Sequence, residues 1–168
     1  MFIRTKTVKE KEYAYLVKNV WTKKGPRQKA IKYLGAVIQS PYVKEISFER
    51  FILPLKIEEL FSKKNPKLVY KALLKRELVR YGFIEIEPNL MQYEDITIAL
   101  TTKDVIRNGR QVVLKVNEGF ICKQTITNLL KHIHLEDETG KKLAEDILEA
   151  GISIEKDIFV RLYKMLKD

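Results

Sequence analysis

A chain of 168 residues with a formal charge of +10 and a pI near 9.5 has room for one sizeable core or two small ones. Its charge favours nucleic acid, an anionic surface or an acidic protein as partner. It is 45% hydrophobic and 10% aromatic, with one cysteine, Cys122, which excludes a disordered composition, an internal disulfide and a thiolate-rich zinc site.

Residues 2–8, 12–21 and 27–37 alternate as three strands joined by the turns KEKE and TKKGPR, an antiparallel meander. On the middle strand Tyr13, Tyr15, Val17 and Trp21 share one face, and Ala14, Leu16, Lys18 and Val20 the other. Tyr15, Val17 and Trp21 are expected in the core, because alternating aromatics usually form the buried face of a sheet. The competing reading has Tyr13, Tyr15, Trp21 and Tyr33 stacking on unpaired bases.

The apolar piece ISFERFILPLKIEELF divides at Pro54, with a strand or turn before it and a short helix over 56–62. Asn65-Pro66 starts a helix that runs to about 81 and stops at Gly82, since Asn caps free amides and Pro suits the first helical position. FIEIE and DITIALTT read as strands, and VIRNGRQVVLKV as a hairpin turning at Asn108-Gly109, the pair a type I′ turn prefers. TITNLLKHIHL, GKKLAEDILEAG and SIEKDIFVRLYKMLKD carry apolar residues at helical spacing, with Gly151 ending the second helix and Ser153 capping the third. The expected fold is α+β in three parts. A basic β-meander spans 1–40, a central α+β region with the Asn-Gly hairpin spans 41–121, and a small helical bundle spans 122–168.

The charge is polarised. Residues 1–33 hold ten cations against Glu10 and Glu12, and residues 63–80 hold seven against Glu77. Residues 136–157 hold eight acids, among them Glu136, Asp137 and Glu138, against three lysines. Lys64, Lys67, Lys71 and Lys75 are spaced to stack along one helix face, where like charges repel unless a polyanion or solvent relieves them. The candidate nucleic-acid-binding residues are Arg4, Lys6, Lys18, Lys23, Lys24, Arg27 and Lys29 of the meander with Lys64, Lys67, Lys71 and Lys75 of the helix. Abundant Lys, Glu and Ile with little Cys and Met matches a thermophile-like bias.

The opening pattern MFIR…YAYLVKNVWTKKGPRQKAIKYLG resembles the short β-rich segment that begins many insertion-sequence transposases of the DDE type. Phe2, Ile3, Arg4, Tyr15, Leu16, Val17, Arg27, Gln28, Leu34 and Gly35 carry the likeness over about the first 36 residues. The resemblance implies DNA handling by this segment. It does not extend to transposition, because Asp95, Asp104 and Glu118 do not make the three carboxylates of a ribonuclease-H-like catalytic core.

Signals for chemistry are sparse. His132 and His134 make an H-x-H that points about 200° apart on a helix, unlike a metal pair spaced by four. The GKK at 140–142 lacks the upstream glycine of a phosphate loop. No cofactor, metal or catalytic residue is expected. The MFIRTKTVKEKEY start has no signal-peptide core and no apolar run reaches ~18 residues, so a soluble cytoplasmic chain is expected. The favoured function is non-enzymatic binding to the backbone and shape of structured RNA, ribosomal RNA included, or of duplex DNA. The alternatives are a homodimeric protein-interaction or assembly factor and a small nuclease.

Overall fold

The computed structural model describes residues 1–132 and 140–167; His134, Glu136, Asp137 and Glu138 lie outside the described residues. Strands β1 (Phe2–Val8), β2 (Lys11–Thr22) and β3 (Gly25–Gln39) form the expected antiparallel meander. Its first turn, Lys9-Glu10, has φ of 47° and 65°, the left-handed pair of a type I′ hairpin. Its second is Lys23-Lys24. The Thr22 hydroxyl donates to the Gly25 carbonyl (2.8 Å) and accepts from the Lys24 amide (3.2 Å). β3 carries an extra residue at Leu34 and again at Ile31, where the pairing steps from Ala14↔Gly35 to Tyr15↔Tyr33 and from Leu16↔Lys32 to Val17↔Ala30. Such bulges bend a strand and sharpen its twist.

Three helices follow, α1 (Phe48–Ile52), α2 (Ile57–Ser62) and α3 (Pro66–Arg80). Where the sequence predicts a strand or turn before Pro54, the chain is helical: the Ser47 hydroxyl accepts from the Arg50 amide (3.3 Å) and caps a helical turn there. Six short strands come next: β4 (Ile84–Glu87), β5 (Leu90–Tyr93), β6 (Ile96–Ala99), β7 (Asp104–Arg107), β8 (Arg110–Val116) and β9 (Gly119–Ile121). Asn108 and Gly109 have φ of 49° and 72° between β7 and β8, the expected I′ turn. Helices α4 (Lys123–Lys131), α5 (Gly140–Glu149) and α6 (Lys156–Lys167) complete the α+β chain.

The strands form one sheet in the order β1-β2-β3-β8-β7-β6-β5-β4, with β9 also on β8. The join is parallel, Ala36–Gln39 beside Val112–Lys115. Gly35 permits it: its φ is +138°, and a Cβ there would stand 2.6 Å from the Gln111 carbonyl oxygen. α3 runs through the middle of the core. Its Val69, Tyr70, Leu73, Leu74 and Leu78 are fully buried and cluster with Phe48, Met91, Ile98, Leu114, Leu129 and Leu162. Each large apolar side chain buried this way contributes ~1.5–3 kcal/mol. α4 packs on α5 and α3, and α6 on α2 and α3, so the C-terminal helices gather around α3 rather than only on each other.

α3 also brings charge inside. Arg76, Glu77 and Arg80, part of a basic block in the sequence, are buried. Glu77 accepts from Arg80 Nη1 (3.2 Å), Asn117 Nδ2 (2.8 Å) and the Ser153 amide (3.2 Å). Arg76 donates to both Glu155 oxygens (2.7 and 2.8 Å) and to the Ser153 carbonyl, while Arg80 reaches Glu45 (2.9 Å). Ser153 therefore serves this network and does not cap α6. Gly151 does end α5, with φ of 70° and the Ile152 amide on the Ile147 carbonyl (3.1 Å).

His132 closes α4, and its Nε2 lies 2.6 Å from Asp146 Oδ2 on α5. Burial alone would raise the Asp146 carboxyl, but His132 and Lys142 together bring it below the usual carboxylate range. A carboxyl depressed in the fold adds stability that is present above its unfolded value near 3.9 and lost as pH falls through the folded one. Asp146→Asn is therefore expected to flatten the loss of stability on acidification below about pH 4, read by urea unfolding at stepped pH; an unchanged acid profile would remove Asp146 from that role.

Candidate nucleic-acid interface

β1 covers β2 only as far as Phe2↔Val17, and β3 meets β8 only from Ala36 onward. Beyond those points the β2–β3 pair continues alone as a two-stranded arm, from Lys18↔Lys29 to Thr22↔Gly25. Directly paired residues share a face, so register assigns the arm's two sides. One carries Lys18 and Lys29, then Val20 and Arg27; the other carries Asn19 and Gln28, then Trp21 and Pro26. Pro26 has no amide to donate, which suits a strand whose outer edge is unpaired.

The alternation of Tyr13, Tyr15, Val17 and Trp21 on one side is preserved, but their burial differs. Val17 is buried, Tyr13 and Tyr15 are half-buried, and Trp21 is 85% exposed. The expectation of a core Trp21 is overturned: it lies on the arm past the last residue that β1 covers, and its ring stands in solvent. Tyr33 is 53% exposed. Its ring centre is 5.4 Å from that of Tyr15 and 6.3 Å from that of Tyr13.

Arg4, Lys6, Lys18, Lys23, Lys24, Arg27 and Lys29 are all exposed, and none makes a salt bridge among the described residues. The helix stripe is shorter than the sequence spacing predicts. Lys64 precedes the Asn65 cap and has φ of 46°, so it is not on the helix face. Lys67 is exposed, Lys71 is half-buried, and Lys75 is held by Glu85 (2.7 Å). The exposed pair Lys64→Glu with Lys67→Glu is expected to leave thermal stability within ~0.5 kcal/mol while weakening nucleic-acid binding severalfold. Unchanged binding would make these lysines a solvated face.

One feature has no counterpart in the sequence pattern. A groove of about 790 Å³ lies between β3 and the β7–β8 hairpin, lined by Tyr13, Tyr33, Arg107, Arg110 and Gln111, with Glu10 from the first turn and Lys11 and Glu12 from the start of β2. Arg107 and Arg110 are direct cross-strand partners; Asp95 engages Arg107 (2.7 Å), and Arg110 has no acidic partner among the described residues. Tyr33 and Arg110 are far apart in sequence and meet only through the parallel join, which is why the chain's local pattern does not announce the groove.

The carboxylates weighed for catalysis are dispersed, and two of them are held in structural ties. Asp104 accepts from Lys123 (2.8 Å) and Gln111 (2.7 Å), and hydrogen bonds from Lys123, Thr102 and Gln111 hold its carboxyl down at about 2. Asp95 is taken by Arg107, and Glu118 sits in the β8–β9 turn. Among the described residues no three of His, Cys, Asp and Glu gather to hold a metal ion. No helix among them is long and apolar enough to cross a membrane. Comparison with protein-family models, curated proteins and solved structures gives no match for this chain.

Proposed function

We propose that the chain binds the phosphate backbone of a structured nucleic acid through its arm, without catalysis, and that folded RNA is preferred to duplex DNA. The observation that carries this reading is the pairing of Lys18 directly against Lys29 on an arm whose residues 18–29 hold five cations and no acid. Like charges placed opposite each other on a sheet destabilise it, and a row of phosphates relieves them. The same side continues with Arg27, and the tip adds Lys23 and Lys24. Recognition built from such cations reads backbone and shape rather than base sequence.

Affinity measured against salt tests the reading. The log–log slope is expected to be about −0.7 to −0.9 per phosphate neutralised, giving a steep fall for RNA duplexes and for DNA. A flat response would exclude backbone binding.

The second reading, a homodimeric assembly factor, draws on β4. It is the last strand of the sheet, with Ile84 63% and Ile86 45% exposed, and an open apolar edge invites a second strand. Light scattering before and after nuclease treatment separates the two: a dimer that survives nuclease favours the edge, and a nucleic-acid complex that nuclease removes favours the arm.

A further inference from the structure

The arm accounts for a hold on phosphates, but it leaves the groove at its foot without a role. Three features of that groove belong together. Tyr33 presents half of its surface to solvent and is backed by Tyr15 and Tyr13 at 5.4 and 6.3 Å, so its ring is braced by other rings instead of being free to swing. Arg110 lines the same groove as Tyr33, and has no acidic partner among the described residues. Glu10, Glu12 and Gln111 add acceptors at the edges of the same space.

A flat aromatic platform, an uncompensated guanidinium and edge acceptors are what an unpaired nucleotide requires: a surface for its π-face, a cation for its phosphate, and partners for its exocyclic amino group. A base inside a duplex is already stacked on both sides and does not reach such a platform. The volume of about 790 Å³ falls within the range of small-ligand sites.

Position ties the groove to the arm. Tyr15 and Trp21 lie on one side of β2 six residues apart, a span of ~20 Å at a strand's rise per residue. At ~3.4 Å per base step of B-form DNA, that is about six base pairs between the groove and the arm's exposed tryptophan.

We propose that the groove between Tyr33 and the β7–β8 hairpin seats one unpaired nucleobase, stacked on Tyr33 with its phosphate on Arg110, so that the preferred target is a duplex with single-stranded nucleotides beside it. This rests on the nucleic-acid reading and narrows it to a junction. Glu10 and Glu12 contribute to the narrowing, because they repel a second row of phosphates and leave room for a base edge.

The test uses the full chain with labelled 12-base-pair RNA and DNA duplexes, each blunt or carrying a three-nucleotide overhang, at fixed salt. The parent is expected to bind the overhang form about tenfold more tightly than the blunt form, the usual scale of one base stacked on an aromatic ring. Tyr33→Ala and Arg110→Ala should each remove most of that gain and leave blunt-duplex affinity near the parent's, whereas Tyr33→Phe should keep it. Circular dichroism melting checks that each variant is folded. Equal binding of blunt and overhang forms by the parent, or a gain that survives Tyr33→Ala, would overturn the groove inference while leaving the arm's role intact. Absence of binding to every duplex at low salt would overturn both.

Discussion

Glu77→Gln is expected to destabilise the protein by about 3–5 kcal/mol, lowering the melting temperature by on the order of 10 °C for a chain of this size. The substitution keeps the shape and one carbonyl oxygen, so the cost is electrostatic. Glu77 is fully buried and is the carboxylate that Arg76 and Arg80 share, at 3.7 and 3.2 Å. The Nε atoms of both arginines already lack a hydrogen-bond partner among the described residues. Removing the shared charge leaves two guanidiniums in the interior whose remaining carboxylate partners among the described residues, Glu155 and Glu45, are both solvent-exposed in part. Glu77 also joins three separate parts of the chain, since it receives Asn117 from the β8–β9 turn and Ser153 from the segment before α6. Chemical unfolding of Glu77→Gln beside Glu85→Gln gives the comparison. Glu85 holds Lys75 at the surface (2.7 Å), and losing an exposed pair costs ~1 kcal/mol at most. Similar losses for the two variants would show that the inner network is not a stabilising centre.

That network shows what a sequence conceals. Lysine, arginine and glutamate at helical spacing read as a surface, and Lys67 obeys that rule. Arg76, Glu77 and Arg80 do not, because α3 has neighbours on nearly every side: Phe48 of α1, Leu129 of α4, Leu162 of α6 and the sheet. The hint was in the apolar residues. Leu68, Val69, Tyr70, Ala72, Leu73 and Val79 spread too widely around the helix for one buried stripe. Turn chemistry, in contrast, was legible, since Asn108-Gly109, Asn65-Pro66 and Gly151 each carry a local conformational preference that needs no partner. β5 and β9, of four and three residues, are too short to show a period. The parallel pairing of β3 with β8 joins residues more than seventy positions apart and leaves no local mark. Trp21 lies between these cases. Alternation placed it correctly on the side of Tyr15 and Val17, but alternation does not tell what covers a side, and β1 reaches no further than Val17.

The exposed tip makes the arm's role measurable. Lys23→Ala, Lys24→Ala and Arg27→Ala together are expected to reduce the salt slope by up to about three, one unit for each phosphate no longer neutralised, and to weaken binding to many sequences alike. All three side chains are exposed, and the turn is fixed by Thr22 and Gly25 instead, so the triple variant should fold like the parent. Trp21→Ala separates charge from stacking at the same place. With 85% of its surface in water, Trp21 holds little of the fold, and its removal should change stability by no more than ~0.5 kcal/mol. If its ring stacks on a base or wedges a base step, affinity should drop by about tenfold or more with the salt slope unaltered, since every cation is kept. The two variants thus move different quantities, one the slope and the other the intercept. A triple alanine protein that keeps the parent's affinity and slope for RNA and DNA at every salt concentration would take the tip out of the interface and leave the opposed Lys18 and Lys29 as the place to look for the hold on phosphate.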